Sequence, residues 1–256
     1  KNRVYTLWGV SRRGKIHFTI MSFQIVPYGE AHKKEWNQFL EDCRNGCFLF
    51  DRDYMEYHKD RFPDHSLVIY KGNKVYALFP ANKLDDTIYS HQGLTFGGLI
   101  YGVDLKTAEA IAILKMIKEY YHSMGIRKII YKTIPYIFSN YPAQEDLYAL
   151  FRYDARLFRR DVFSVIDIRN PVKFSETKRQ LVRKCIDRKI QIVASSDFTE
   201  FWNLLEHVLS KYNTKPTHTL AEIRRLKDLF PSKIKLYEAR KEDELLAGIV
   251  IYDYGK

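Results

Sequence analysis

The run LKTAEAIAILKMIKEYYHSMGIRKIIY, residues 105–131, sets the fold class of this chain. Leu105, Ala108, Ala112, Ile113, Met116, Ile117, Tyr120 and Met124 recur at the spacing of one helix face, and Gly125 supplies the stop. Residues 128–131, Lys-Ile-Ile-Tyr, then read as a buried strand. A long amphipathic helix feeding directly into a buried strand calls for a sheet covered by helices.

Working upstream, residues 66–70 and 75–81 alternate as strands around Lys71-Gly72-Asn73-Lys74, whose Gly-Asn pair suits a tight hairpin. Residues 87–90 and 96–100 are further strand candidates flanking a glycine-rich stretch. Before them come a strand at 23–26, a helix at 31–44 with Trp36, Phe39, Leu40 and Cys43 in phase, and a second helix at 51–59. Downstream, a short helix at 144–151 and a strand at 162–168 complete a first unit. Asn170-Pro171 marks its boundary, because the residue before proline is pushed out of the helical region.

A second unit follows the same plan. Helices are expected at 177–188, 197–212 and from Thr219, where Thr219 and Glu222 have capping-box spacing, to about residue 230. A strand at 191–194 and a hairpin of 233–240 and 245–254 close it. The fold class is therefore α/β: two like domains, 21–169 and 170–256, each a mixed, mostly antiparallel sheet flanked by helices. The second is expected to be incomplete, since its last hairpin leaves a sheet face and an edge uncovered. Residues 1–20 lack acids and hold five of the +11 net charges, and Met21-Ser22-Phe23-Gln24 reads as a natural start. They are expected to be an upstream or poorly ordered segment, with an edge strand as the alternative.

Composition is globular, with 46% hydrophobic and 15% aromatic residues. No apolar run of about 18 residues and no signal pattern occurs, which points to a cytoplasmic chain with no membrane span. Three cysteines without a CxxC argue against a disulfide framework or structural zinc, and no metal site is expected. A homo-oligomer remains compatible.

The run Tyr89-Ser90-His91-Gln92-Gly93-Leu94-Thr95-Phe96-Gly97-Gly98 carries most of the chemistry. Together with Ile134-Pro135-Tyr136, residues 145–151 and Leu245-Leu246-Ala247-Gly248, it resembles the GNAT-type acyltransferases related to the Fem peptidyltransferases. The likeness covers residues 22–256. It implies tandem GNAT-like domains and transfer of an acetyl or aminoacyl group, from acetyl-coenzyme A or aminoacyl-tRNA, to an amine or hydroxyl. The acceptor it implies is a cell-wall or surface-polysaccharide precursor, a phosphorylated glycan or peptide. The usual Gln/Arg-x-x-Gly-x-Gly/Ala donor turn is lacking: residues 97–104 do not match it, and in the second unit its place falls beyond Lys256. The alternative is a non-catalytic module of degenerate GNAT halves recognising an anionic glycan or a partner protein.

On the helix at 177–188, Leu181, Val182, Cys185 and Ile186 share one face and Arg179, Arg183 and Lys184 the other. The resemblance carries phosphate binding onto Arg179, Arg183 and Lys184; a solvated face with an Arg183–Asp187 pair explains the same pattern. His91 and His218 are the candidate catalytic bases, because imidazole titrates near neutral pH. Gln92, Gly93, Gly97 and Gly98 are expected to line a cleft between the units, or to pack locally against Tyr89 and Phe96. Tyrosines fall on apolar stripes, so no sequence-specific nucleic-acid binding is expected apart from an aminoacyl-tRNA donor.

Overall fold

A computed structural model describes residues 2–7, by backbone, and residues 23–255. The chain divides into two compact units, Lys1–Phe163 and Ser164–Lys256. Its class is mixed α/β, with antiparallel and mixed sheets.

The first unit runs β1 (Asn2–Leu7), β2 (Phe23–Pro27), α1 (Lys33–Asp42), α2 (Arg52–Met55), β3 (Leu67–Lys71), β4 (Lys74–Phe79), β5 (Asn82–Leu84) and β6 (Thr87–Tyr89). It continues with β7 (Ile100–Tyr101), α3 (Thr107–Ser123), β8 (Lys128–Lys132), α4 (Glu145–Arg152) and β9 (Arg156–Asp161). One sheet is antiparallel throughout, in the order β2-β3-β4-β7. The other has the order β5-β6-β8-β1-β9, with β6 parallel to β8 and the other pairs antiparallel. Gly72, at φ +60, turns the β3–β4 hairpin.

A single core joins the sheets to α3: Ile69, Phe79, Ile88, Ile113, Ile117, Tyr121, Ile129 and Tyr131 all belong to it. Burying each such side chain is worth roughly 1.5–3 kcal/mol. The buried stripe of α3 is offset from the one expected. Ala110, Ile113, Leu114, Ile117 and Tyr121 are buried, Met116 and Tyr120 flank them, and Ala108 and Met124 are exposed. The helix is apolar over more than one stripe, and tertiary packing chooses among them.

Two expected strands move. Residues 96–100 reduce to Ile100–Tyr101, because Gly97 and Gly98 are held in a loop. The strand expected at 162–168 is absent, and Arg156–Asp161 pairs instead; Val162, Val165, Ile166 and Ile168 are exposed. Hydrophobicity alone misplaced this strand, since its partner β1 lies some 150 residues upstream and its own face is charged. Within residues 1–20, Asn2–Leu7 forms a strand paired on both sides; residues 8–20, and the start read at Met21-Ser22, lie outside the described residues.

The second unit comprises α5 (Glu176–Asp187), β10 (Gln191–Ser195), α6 (Thr199–Ser210), α7 (Leu220–Leu229), β11 (Ile234–Lys241) and β12 (Glu244–Tyr252). Its sheet is antiparallel, β10-β11-β12. Phe198, Phe201, Trp202, Ile223 and Leu226 cover Ile234 and Leu236. Gly248 lets the Phe201 ring lie against β12, where a Cβ would stand 2.4 Å from it. The capping box forms as spaced: the Thr219 amide donates to Glu222 Oε2 at 2.8 Å, and the Glu222 amide to Thr219 Oγ1 at 3.2 Å. On the other sheet face Ile192, Ile249 and Ile251 are exposed. No helix among the described residues is long and apolar enough to cross a membrane.

Candidate functional site

The glycine-rich segment is the loop from β6 to β7, and backbone bonds lock it to β8. The Ser90 amide donates to the Ile130 carbonyl at 2.9 Å, and the Gly97 amide to the Lys132 carbonyl at 3.2 Å. The Lys132 amide donates to Ser90 Oγ at 2.7 Å. Two glycines are demanded by this closeness. A Cβ on Gly97 would stand 1.7 Å from the Ser90 carbonyl oxygen, and Gly98 sits at φ +100 against the Tyr131 hydroxyl. That hydroxyl accepts from the Leu99 amide and donates to Asp146 Oδ2, both at 2.7 Å. Burial is the main cause that pushes the Asp146 carboxyl up to about 6.

His91 occupies the tightest point of the loop. Its backbone is left-handed, φ +80, and the residue is 3% exposed. The ring lies 5.5 Å from that of His58 and 5.7 Å from Phe62. Burial, and then the neighbouring His58, push its pKa down to about 3, so the imidazole is neutral near pH 7 and a weak proton acceptor. Gly93 makes room for His58, whose Nε2 would lie 1.9 Å from a Cβ there.

Gln92 faces the other way. Its amide donates to Asn82 Oδ1, and Asn82 Nδ2 donates to Gln92 Oε1, both at 2.7 Å. This amide pair lines an open depression of about 530 Å³ together with Arg61, His65, Lys83 and Asp85. Burial, followed by the Lys83 charge, lowers the pKa of His65. The amides suit a polar ligand carrying hydroxyls, while the cations Arg61 and Lys83 are matched by the carboxylates Asp60 and Asp85.

The loop before α3 leads into the N-terminal end of that helix. Here that helix end holds the chain's own carboxylate. Glu109, 1% exposed, accepts from the Lys106 amide at 2.8 Å, from Lys71 Nζ at 2.7 Å and from Tyr76 Oη at 2.6 Å. Burial opposes its charge, but these bonds hold the carboxyl below its ordinary range. The positive end of the α3 dipole is thereby neutralised from within.

In the second unit, Arg179, Arg183 and Lys184 are all exposed on α5, and Arg179 pairs with Glu176 at 2.6 Å. Leu181, Val182 and Ile186 on the opposite face are exposed as well. His218 lies between α6 and α7, with Nε2 3.2 Å from Tyr252 Oη; its carbonyl accepts from Trp202 Nε1 at 3.1 Å. It lines a depression of about 600 Å³ with Glu206, Ser210, Asn213, Lys215 and Thr219. His91, Gln92 and the three glycines thus belong to one loop of the first unit, whereas the basic trio and His218 belong to the second.

Sequence reasoning missed four polar residues. Arg52, 2% exposed, pairs with Asp64 and with Glu56 and stacks 3.6 Å from the Tyr28 ring centroid. Asn82 and Asp146 are buried partners of loop groups. Lys132, half-buried, donates to the Leu94 carbonyl; burial and then the Arg159 charge push its pKa down to about 8. The one available signal was the strand pattern Lys-Ile-Ile-Tyr-Lys, which puts Lys128 and Lys132 on one face. Among the described residues no group of His, Cys, Asp or Glu is placed to hold a metal ion. No protein-family model matches the chain, and no curated protein is significantly similar to it.

Proposed function

We propose that the chain is an acyl- or aminoacyltransferase of the GNAT type, related to the Fem enzymes, acting on a phosphorylated cell-wall or surface-polysaccharide precursor. The observation that carries this reading is a repeated order. In the first unit the helices α1 and α2 precede the hairpin β3–β4, and in the second α6 and α7 precede β11–β12. In this reading the amide pair Gln92–Asn82 offers hydrogen bonds to ligand hydroxyls within the first unit's own depression, where Arg61 and Lys83 are balanced by Asp60 and Asp85. Within the second unit, Arg179, Arg183 and Lys184 offer exposed donors to a phosphate group. Within the second unit, His218 is better suited than the first unit's buried His91 to take a proton from a group bound in its own depression, because that depression is open and its Nε2 lies beside a phenol.

The step transfers an acyl carbon from a coenzyme A thioester or a tRNA ester to the acceptor. The amine or hydroxyl attacks the carbonyl, the C–S or C–O bond breaks, the acceptor proton passes to the base, and the leaving thiol or hydroxyl is reprotonated. Because Glu109 already occupies the start of α3, this reading has the donor bind elsewhere than at that helix end. The same observation favours a second reading, a non-catalytic module that recognises an anionic glycan. Incubating the protein with labelled acetyl-coenzyme A or aminoacyl-tRNA and a nucleotide-linked amino sugar tests both. Labelled acceptor supports the transferase; acceptor binding without transfer supports the module; neither overturns both.

A further inference from the structure

The five-stranded sheet of the first unit has two unlike faces. Ile88, Ile129 and Tyr131 point into the core, so by strand alternation Tyr89, Lys128, Ile130 and Lys132 point outward. Register extends that outer face across β1. Lys132 and Arg159 are both paired with Val4, and Ile130 and Arg156 are both paired with Thr6. The ladder between β1 and β9 slips at Val4/Tyr5, where Phe158 is the additional residue on β9. Its ring is 63% exposed, with Lys128 Nζ 5.5 Å from the ring centroid.

Four cations therefore share this face with the aromatic side chains of Tyr89 and Phe158. Strands β6, β8 and β9 carry one acid between them, Asp161, which pairs with Arg159 at 2.8 Å. Lys132 and Arg159 lie close enough for the arginine charge to depress the lysine's proton affinity, so an anion placed between them relieves repulsion. Strands β8 and β9 stand two ladder spacings apart, roughly 10 Å, which is wider than one phosphate can bridge. A polyanion with flat faces between its charges fits such a surface better than a lone phosphate does.

We propose that this outer face binds single-stranded nucleic acid, with bases stacked on Phe158 and Tyr89 and the backbone phosphates taken by Lys128, Arg156 and Arg159. The inference stands apart from acyl transfer, since it uses none of the groups assigned to that reaction.

Fluorescence anisotropy of the full chain with labelled oligouridylate and oligodeoxythymidylate, at stepped salt concentrations, tests it. Binding of either sugar supports the proposal, and a preference between them reports on contact with the 2′-hydroxyl. Phe158→Ala is expected to weaken binding about five-fold or more with an unchanged salt slope, because it removes stacking and no charge. Arg156→Gln with Arg159→Gln is expected to lower the slope by about 1.4, two phosphate contacts on a single strand. Both sites are exposed, so the fold tolerates these changes. Arg225→Gln, an exposed cation on α7, leaves the affinity unchanged. Three results overturn the proposal: no binding at about 50 mM salt, binding to anionic vesicles but not to oligonucleotides, or unaltered oligonucleotide affinity in Phe158→Ala.

Discussion

The loop from β6 to β7 and the helix α5 both drew functional expectations, and the fold treats them in opposite ways. In and around the loop most polar groups are enclosed: Ser90 and His91, with the neighbouring Asn82, Asp146 and Tyr131, are buried, and Tyr131 bonds to Asp146, Gln92 to Asn82 and Lys132 to Ser90. On α5 the charged face and the apolar face are both exposed. An enclosed network is costly to disturb because a lost partner leaves a desolvated group behind, whereas an exposed cation exchanges its partner for water. Substitutions in the loop should therefore act on stability and those on α5 on ligand affinity.

The sharpest way to break that contrast is Gly97→Ala. With the Ser90 carbonyl 1.7 Å from the new methyl position, the loop must leave β8, and a loss of more than about 3 kcal/mol in urea unfolding is expected. A milder result would mean that the loop is not locked.

Next comes pH. Asp146 titrates at about 6 in the folded chain against an ordinary 3.8, so the folded state binds the extra proton and stability falls as pH rises between those values, by about 3 kcal/mol. His91 has the opposite sign. Its pKa falls from 6.5 to about 3, so the unfolded chain binds the extra proton and stability rises with pH across that window. The two offset each other between about pH 4 and 6 in the parent. His91→Asn, which tolerates the left-handed backbone, should leave a stability that declines from pH 4 to 6. Asp146→Asn should leave one that climbs. Denaturant midpoints at three pH values decide; unchanged slopes would show that neither group is as enclosed as described.

Smaller effects sharpen the other side. Thr219→Ala removes the cap of α7 and should cost about 1 kcal/mol in the second unit's melting. Arg183→Ala should move stability by less than about 0.5 kcal/mol, because the side chain is exposed. If it also leaves the affinity for a phosphorylated ligand unchanged, α5 is a solvated helix and nothing more.

What could be read beforehand follows from the range over which each signal acts. Helix α3, the β3–β4 hairpin and the α7 cap are local: periodicity, a Gly-Asn turn and a Thr/Glu spacing announce them. Strand β9 is not local. Its partner β1 comes from the other end of the unit, and Arg156, Arg159 and Arg160 hide it from any hydrophobic pattern. The candidate site divides in the same way. Gly97 and Gly98 marked the loop, but Asn82, Lys132 and Asp146 reach it only through the sheet and α4, so no spacing in the chain connects them to His91.

One feature of α5 offers a practical handle. Cys185 is exposed on that helix, while Cys43 is buried with its thiol turned to the Leu40 carbonyl. A maleimide dye should therefore decorate Cys185 far faster than Cys43, and with the half-buried Cys47 replaced by Ser it turns α5 into its own reporter, its emission registering whatever docks beside Arg179 and Arg183.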